Sequence, residues 1–164
     1  MIELSHYSYQ PIGHIYSVQQ IPSVPTFALG KPKGFWVSVD KEYGWPEWCA
    51  DNKFRDIKKQ YHYRIILAPD SNILHISTAN DMKEFQKQYQ LGDLSANRFA
   101  FTGISWKDVS LDYQGIIISP FMPSVQYDNT VKWYYGWDCA SGCIWDSSAV
   151  AWTELLYEPQ KVSA

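Results

Sequence analysis

At 164 residues, 46% of them hydrophobic and 19% charged, the chain has the size and composition of one folded domain, able to bury roughly 70% of the surface its extended form exposes. The formal net charge of −3 argues against a broad electrostatic grip on nucleic acid and leaves specific contact open, and no apolar run approaches the roughly 20 residues of a membrane span. The opening Met1-Ile2-Glu3-Leu4-Ser5 has neither the basic nor the apolar region of a signal peptide, so a cytoplasmic protein with no membrane partner is expected.

In chain order, residues 2–8 alternate like a strand and end at His6, Tyr7 and Ser8. Pro11, Pro22 and Pro25 then interrupt residues 10–32, which leaves irregular chain with at most one short element near Ile12 to Val18. Residues 34–40, Gly-Phe-Trp-Val-Ser-Val-Asp, read as a strand that sends two aromatic rings to opposite faces. A helix follows from Trp45, because Pro46 suits a first helical turn, where an N–H has no partner to lose.

Residues 63–67 and 73–77 are two β-rich runs separated by Ala-Pro-Asp-Ser-Asn, and the spacing predicts a hairpin or two neighbouring strands. Asp81 and Glu84 offer a capping box, with Met82, Phe85 and Tyr89 at helical spacing until Gly92, which predicts a peripheral helix. Ser105 and Asp108 mark a second short helix, residues 116–119 a buried strand, and residues 142–146 the last strand. The order predicts a single α+β domain over residues 1–164, with a split, mainly antiparallel sheet and short flanking helices.

Cys49, Cys139 and Cys143 are an odd number that suits a reducing compartment; the Cys139–Cys143 spacing has no companion pair, so buried thiols are expected and no metal. Aromatic residues reach 16%, and six of them, Trp133, Tyr134, Tyr135, Trp137, Trp145 and Trp152, crowd near Gly136, Ser141 and Gly142. They read either as core or as a loop whose flat rings hold a ligand. The chain has no P-loop, no Gly-x-Gly-x-x-Gly, no His-Glu-x-x-His and no Gly-x-Ser-x-Gly.

The combination of His6-Tyr7-Ser8 on a first strand with Gly34-Phe35-Trp36-Val37-Ser38 before a helix bearing Trp45 and Trp48 resembles the ADP-ribosyltransferase fold, in its His-Tyr-Glu branch. Tyr113-Gln114-Gly115-Ile116-Ile117-Ile118 is similar to a late strand of such domains. The resemblance implies NAD as substrate and a macromolecular acceptor, protein or nucleic acid. It places His6 on the adenosine ribose, Ser8 on the nicotinamide amide, and Trp36 against the nicotinamide ring. Trp45 or Trp48 then closes the other side, with Gly34 and Ser38 shaping the donor site. The family's glutamate begins the final strand, and the matching position here is Ser141; Asp138, just upstream, is the expected carboxylate.

Segment 133–145 also resembles one shared by uncharacterised bacterial and bacteriophage proteins, which implies a toxin or effector role in phage–host conflict. Two other classes stay open: a non-catalytic nucleotide binder, supported by the missing glutamate, and a protein-interaction module that exposes the Trp-rich loop.

Overall fold

The computed structural model describes residues 1–21, 30–91, 103–128 and 131–160. Two sequence expectations, the prolines at 22 and 25 and the helix stop at Gly92, lie outside the described residues. Seven strands form a single sheet: β1 (Leu4–Ser8), β2 (Phe35–Val39), β3 (Tyr61–Leu67), β4 (Ile73–Ile76), β5 (Gly115–Ile118), β6 (Ser141–Ile144) and β7 (Val150–Tyr157). Their spatial order is β4-β5-β6-β2-β1-β3-β7, antiparallel throughout except for the parallel β4–β5 pair. This is the α+β, mainly antiparallel domain expected, but its sheet is continuous rather than split. Continuity is thinnest at the centre, where β1 and β2 pair only through Leu4–Val39 and Ser5–Ser38 and then part.

Among the described residues four α-helices accompany the sheet: α1 (Trp45–Asp51), α2 (Ala79–Tyr89), α3 (Trp106–Asp112) and α4 (Pro123–Gln126). Among the described residues no helix is long and apolar enough to cross a membrane. The start of α2 shows how local chemistry sets an end. Thr78 is its N-cap: the Thr78 hydroxyl accepts from the Asp81 N–H, and the Asp81 carboxylate accepts from the Thr78 N–H at 2.9 Å. The helix therefore begins before the box expected at Asp81 and Glu84. It is not peripheral either, because Met82, Phe85 and Tyr89 are buried in the largest core cluster.

The two faces of the sheet carry separate cores, and period-two alternation sorts residues between them. Ile116 and Ile118 of β5 face the cluster under α2, α3 and α4, whereas Ile117 faces the opposite cluster with Leu4, Val37, Val39 and Ile65. Gly142 lets β5 and β6 approach closely, since a Cβ there would lie 2.5 Å from the Ile116 carbonyl oxygen.

Two strand expectations are corrected. β3 and β4 are neither a hairpin nor neighbours: β3 spends both edges on β1 and β7, so the chain crosses to the far end of the sheet. There β4 pairs in parallel with β5 through the α2–α3 crossover, the connection that parallel strands require. Residues 142–146 are also not the last strand, because β7 follows on the outer edge of β3. Its Trp152, Leu155, Leu156 and Tyr157 are all exposed, so apolar residues fall on both faces and no alternation marks the strand. Residues 12–18 form no regular element and are tied to the sheet by the Val18 N–H donating to the Trp145 carbonyl.

Candidate functional site

Where β1 and β2 part, a cleft of about 370 Å³ opens, lined by six of the nine residues that the sequence singled out: His6, Trp36, Ser38, Trp45, Asp138 and Ser141. They come from β1, β2, α1, the turn before β6 and the start of β6, so only the tertiary fold brings them together. His6 fills the gap between the diverging strands: its Nδ1–H donates to the Trp36 carbonyl at 2.7 Å, and its ring stacks on Phe35 with centroids 4.3 Å apart. A carbonyl can only accept, so Nδ1 carries the proton, and Nε2 of the neutral ring is an acceptor. Burial holds the imidazole below its ordinary pKa, against the opposing pull of the Trp36 carbonyl, and keeps it neutral near pH 7. His6 thus offers a lone pair suited to a ligand hydroxyl.

Trp36 is fixed from behind by Trp137, edge-on at 5.0 Å and only 1% exposed. Lys31 Nζ stands over the Trp36 ring at 5.2 Å from its centroid and 3.9 Å from the Asp138 carboxylate. Both charged side chains are more than a third exposed, so their pairing is a screened contact worth at most about 1 kcal/mol. An incoming ligand can displace or recruit Lys31 at little cost.

Ser38 acts through α1. Its buried hydroxyl accepts the Trp45 N–H at 2.8 Å, while the Glu47 carboxylate accepts the Gly44 N–H at 3.0 Å, so β2 itself caps the helix that carries Trp45. Gly44 has no side chain to do this, and a Cβ there would lie 2.5 Å from the Ser38 hydroxyl. Ser141 is 8% exposed and donates to the Cys139 carbonyl at 3.0 Å, so the position matched to the family's glutamate holds a hydroxyl engaged within its own turn.

Three selected residues do not line the cleft. Ser8 lies further along β1 and its hydroxyl donates to the Gln10 carbonyl, because β1 pairs with β3 there and leads away from β2. Gly34, at φ 156°, serves the entry to β2, where a Cβ would meet the Ile144 carbonyl at 2.5 Å. Trp48 stacks on Trp45, centroids 5.3 Å apart, but faces a second cavity.

The structure adds Ser5, Tyr7, Lys31, Arg55 and Cys139 to the cleft. Arg55 is the informative one. Its guanidinium lies over Phe54, Tyr9 and Trp45 at 5.0, 5.5 and 5.8 Å, and among the described residues it has no carboxylate partner. Ring faces orient the guanidinium plane and leave its N–H edge for an anion. An arginine directly after Phe54 and close behind the tryptophan helix was the available signal.

Two nucleophiles are ruled out by their surroundings. The Ser5 hydroxyl donates to Asp40 at 2.6 Å and therefore receives the His62 Nε2–H at 2.8 Å, the reverse of a serine activated by histidine. Burial pushes the Cys139 thiol up to about 12, so it stays protonated; Cys49 and Cys143 are likewise buried, free thiols. The 133–145 segment is mostly core rather than an exposed loop: Trp133, Tyr134, Trp137 and Trp145 are each 3% exposed or less. What it contributes to the cleft is Asp138, Cys139 and Ser141.

The cleft joins a neutral imidazole acceptor, two indole walls, two cations and one carboxylate, which suits a flat ring joined to a sugar and an anionic group. No family model, curated protein or solved structure was found to match the chain, so the resemblance to ADP-ribosyltransferases stands on the residues of this chain alone.

Proposed function

We propose that the cleft binds NAD as substrate and that the chain transfers ADP-ribose to a macromolecular acceptor, protein or nucleic acid, in an ADP-ribosyltransferase-like arrangement. The observation that carries this reading is the meeting of His6, Trp36 and Asp138 in one cleft. A cavity of about 370 Å³ is near the lower end of ligand sites and suits a nicotinamide ring with its ribose better than a whole dinucleotide.

In this reading His6 Nε2 accepts a ribose hydroxyl, Trp36 and Trp45 flank the nicotinamide ring, and Arg55 meets the pyrophosphate. Breaking the nicotinamide–ribose bond builds positive charge on the ribose, and Asp138 is the carboxylate that offsets it. Nicotinamide leaves with the bonding electron pair, and the acceptor nucleophile forms the new bond at the same ribose carbon while losing a proton to solvent.

The test is nicotinamide release from NAD by the full chain, alone and with cell extract. Release in the wild type, lost in His6→Ala and Trp36→Ala and reduced at least about 100-fold in Asp138→Asn, is expected. Absence of both release and NAD binding would remove the proposal.

One observation favours a second reading, a nucleotide binder without turnover: among the described residues the only carboxylate lining the cleft is Asp138, and Lys31 stands 3.9 Å from it. NAD binding without release, unchanged in Asp138→Asn, would select this reading.

A further inference from the structure

Behind the cleft lies a second cavity of about 350 Å³, and Asp138 is the one residue that lines both. Tyr43, Trp48, Phe121, Tyr127 and Tyr135 form its walls. The stacked Trp45–Trp48 pair therefore puts one indole on each cavity, so the two sites share a helix as well as a carboxylate.

Apart from its tyrosine hydroxyls, which can donate or accept, the polar side chains of this second cavity offer acceptors. Asn52 donates one Nδ2–H to the Trp48 carbonyl at 2.9 Å, and Gln126 donates from Nε2 to the carbonyls of Trp137 and Tyr135 at 2.7 and 3.3 Å. Carbonyl partners fix which end of each amide is nitrogen, and neither amide oxygen has a partner among the described residues. Asp138 is an acceptor too, and its Lys31 partner belongs to the cleft side. The Tyr43 hydroxyl donates to Asp51 at 2.9 Å, which adds a further negative charge at the rim. Among the described residues no lysine or arginine lines the cavity.

Three acceptor groups, ring faces and negative charge favour a ligand that is flat, cationic and rich in donors. A guanidinium meets all three conditions, with five N–H donors in one plane and a face that stacks on aromatic rings. A nucleobase carries acceptors that would oppose Asn52 and Gln126, and its phosphate would face Asp138 and Asp51. We infer that this cavity takes an arginine side chain of a protein partner, stacked on the ring wall with its N–H groups on Asn52, Gln126 and Asp138. The inference concerns binding and does not depend on turnover in the cleft; if the cleft transfers ADP-ribose, Asp138 joins the bound arginine to the donor site.

The experiment is an NMR titration of the full chain with Gly/Ser pentapeptides that carry a central arginine, lysine or citrulline, and with a short single-stranded oligonucleotide. Arginine peptide should shift the Trp48 indole and the Asn52 and Gln126 amides. Binding should fall about fivefold with lysine, which cannot stack a planar fork, and about tenfold with citrulline, which has lost the charge. Tyr135→Ala, at a wall residue 53% exposed, and Gln126→Leu should each weaken arginine binding about fivefold while the chain stays folded. Equal binding of citrulline and arginine, arginine binding unmoved by both variants, or preferential binding of the oligonucleotide here would overturn the inference. NAD titrated separately reports on Trp36 and His6, so failure of the NAD reading leaves a distinct signature.

Discussion

The two tryptophan-rich stretches, 36–48 and 133–145, are alike in composition and opposite in use. In the later one, Trp133, Trp137 and Trp145 vanish into the cluster beneath α2 and α3, where they pack with Phe85 and Trp106. In the earlier one, Trp36 and Trp45 line the cleft and Trp48 the second cavity. The contact of Trp36 with Trp137 joins the two stretches. Trp36 stands as a cleft wall with another ring, itself packed against Trp133 and Tyr134, behind it. Aromatic density therefore says where large contact area is available, and the parting of β1 from β2 says where that area is left open.

Truncating the rings on either side should break the comparison most sharply. Trp137→Ala is expected to cost about 3–5 kcal/mol in urea unfolding, whereas Trp36→Ala should cost under about 2 kcal/mol and act on ligand binding instead. Similar losses at both positions would mean that the cleft ring is simply core. Next in size is Gly142→Ala, whose added methyl meets the Ile116 backbone oxygen at 2.5 Å and so must push β5 from β6; about 1–3 kcal/mol should be lost.

Acid should act through histidines spread across the sheet. His6 and His62 are each held below their ordinary pKa chiefly by burial, and His75 on β4 likewise. The unfolded chain then binds protons more readily than the folded one, so this contribution is complete above about pH 6.5 and is lost as pH falls through and below that value. Urea midpoints at pH 7.5, 6.0 and 5.0 should fall in that order. His6→Gln should flatten the slope, and an unchanged slope would show that His6 titrates as in the unfolded chain. The smallest effect concerns Gln60, fully buried with both amide atoms unpartnered among the described residues. An unpaired buried amide is costly, so Gln60→Met should be neutral or stabilising by up to about 1 kcal/mol. A loss above that would reveal a partner for the amide.

The limits of sequence legibility lie in particular residues. His6, Trp36, Trp45 and Asp138 were recognisable because each departs from what its local element needs: a histidine at a strand end, a second large ring on a strand, a tryptophan beside Pro46, an acid in a glycine-rich turn. Ser38 was recognisable but its action was not, since capping α1 from β2 joins positions seven residues apart through a turn. Lys31 and Arg55 were not singled out, because a cation over a ring is a spatial relation between segments. Gly34, which the resemblance places in the donor site, instead permits the close approach of the start of β2 to Ile144.

Local chemistry alone determined the elements whose periodicity is strong: the alternating β1 and β2, the Met82–Phe85–Tyr89 face of α2, the Ser105 cap of α3 and the apolar β5. It also determined that the three thiols lie inside. Only the tertiary structure decided which strands became neighbours, because strand pairing is set by competition for free edges and by crossovers, neither of which is written in any one segment. The same competition sent β4 away from β3, attached the unpatterned β7, and left β1 and β2 joined by two residue pairs, and that short junction is what opens the cleft.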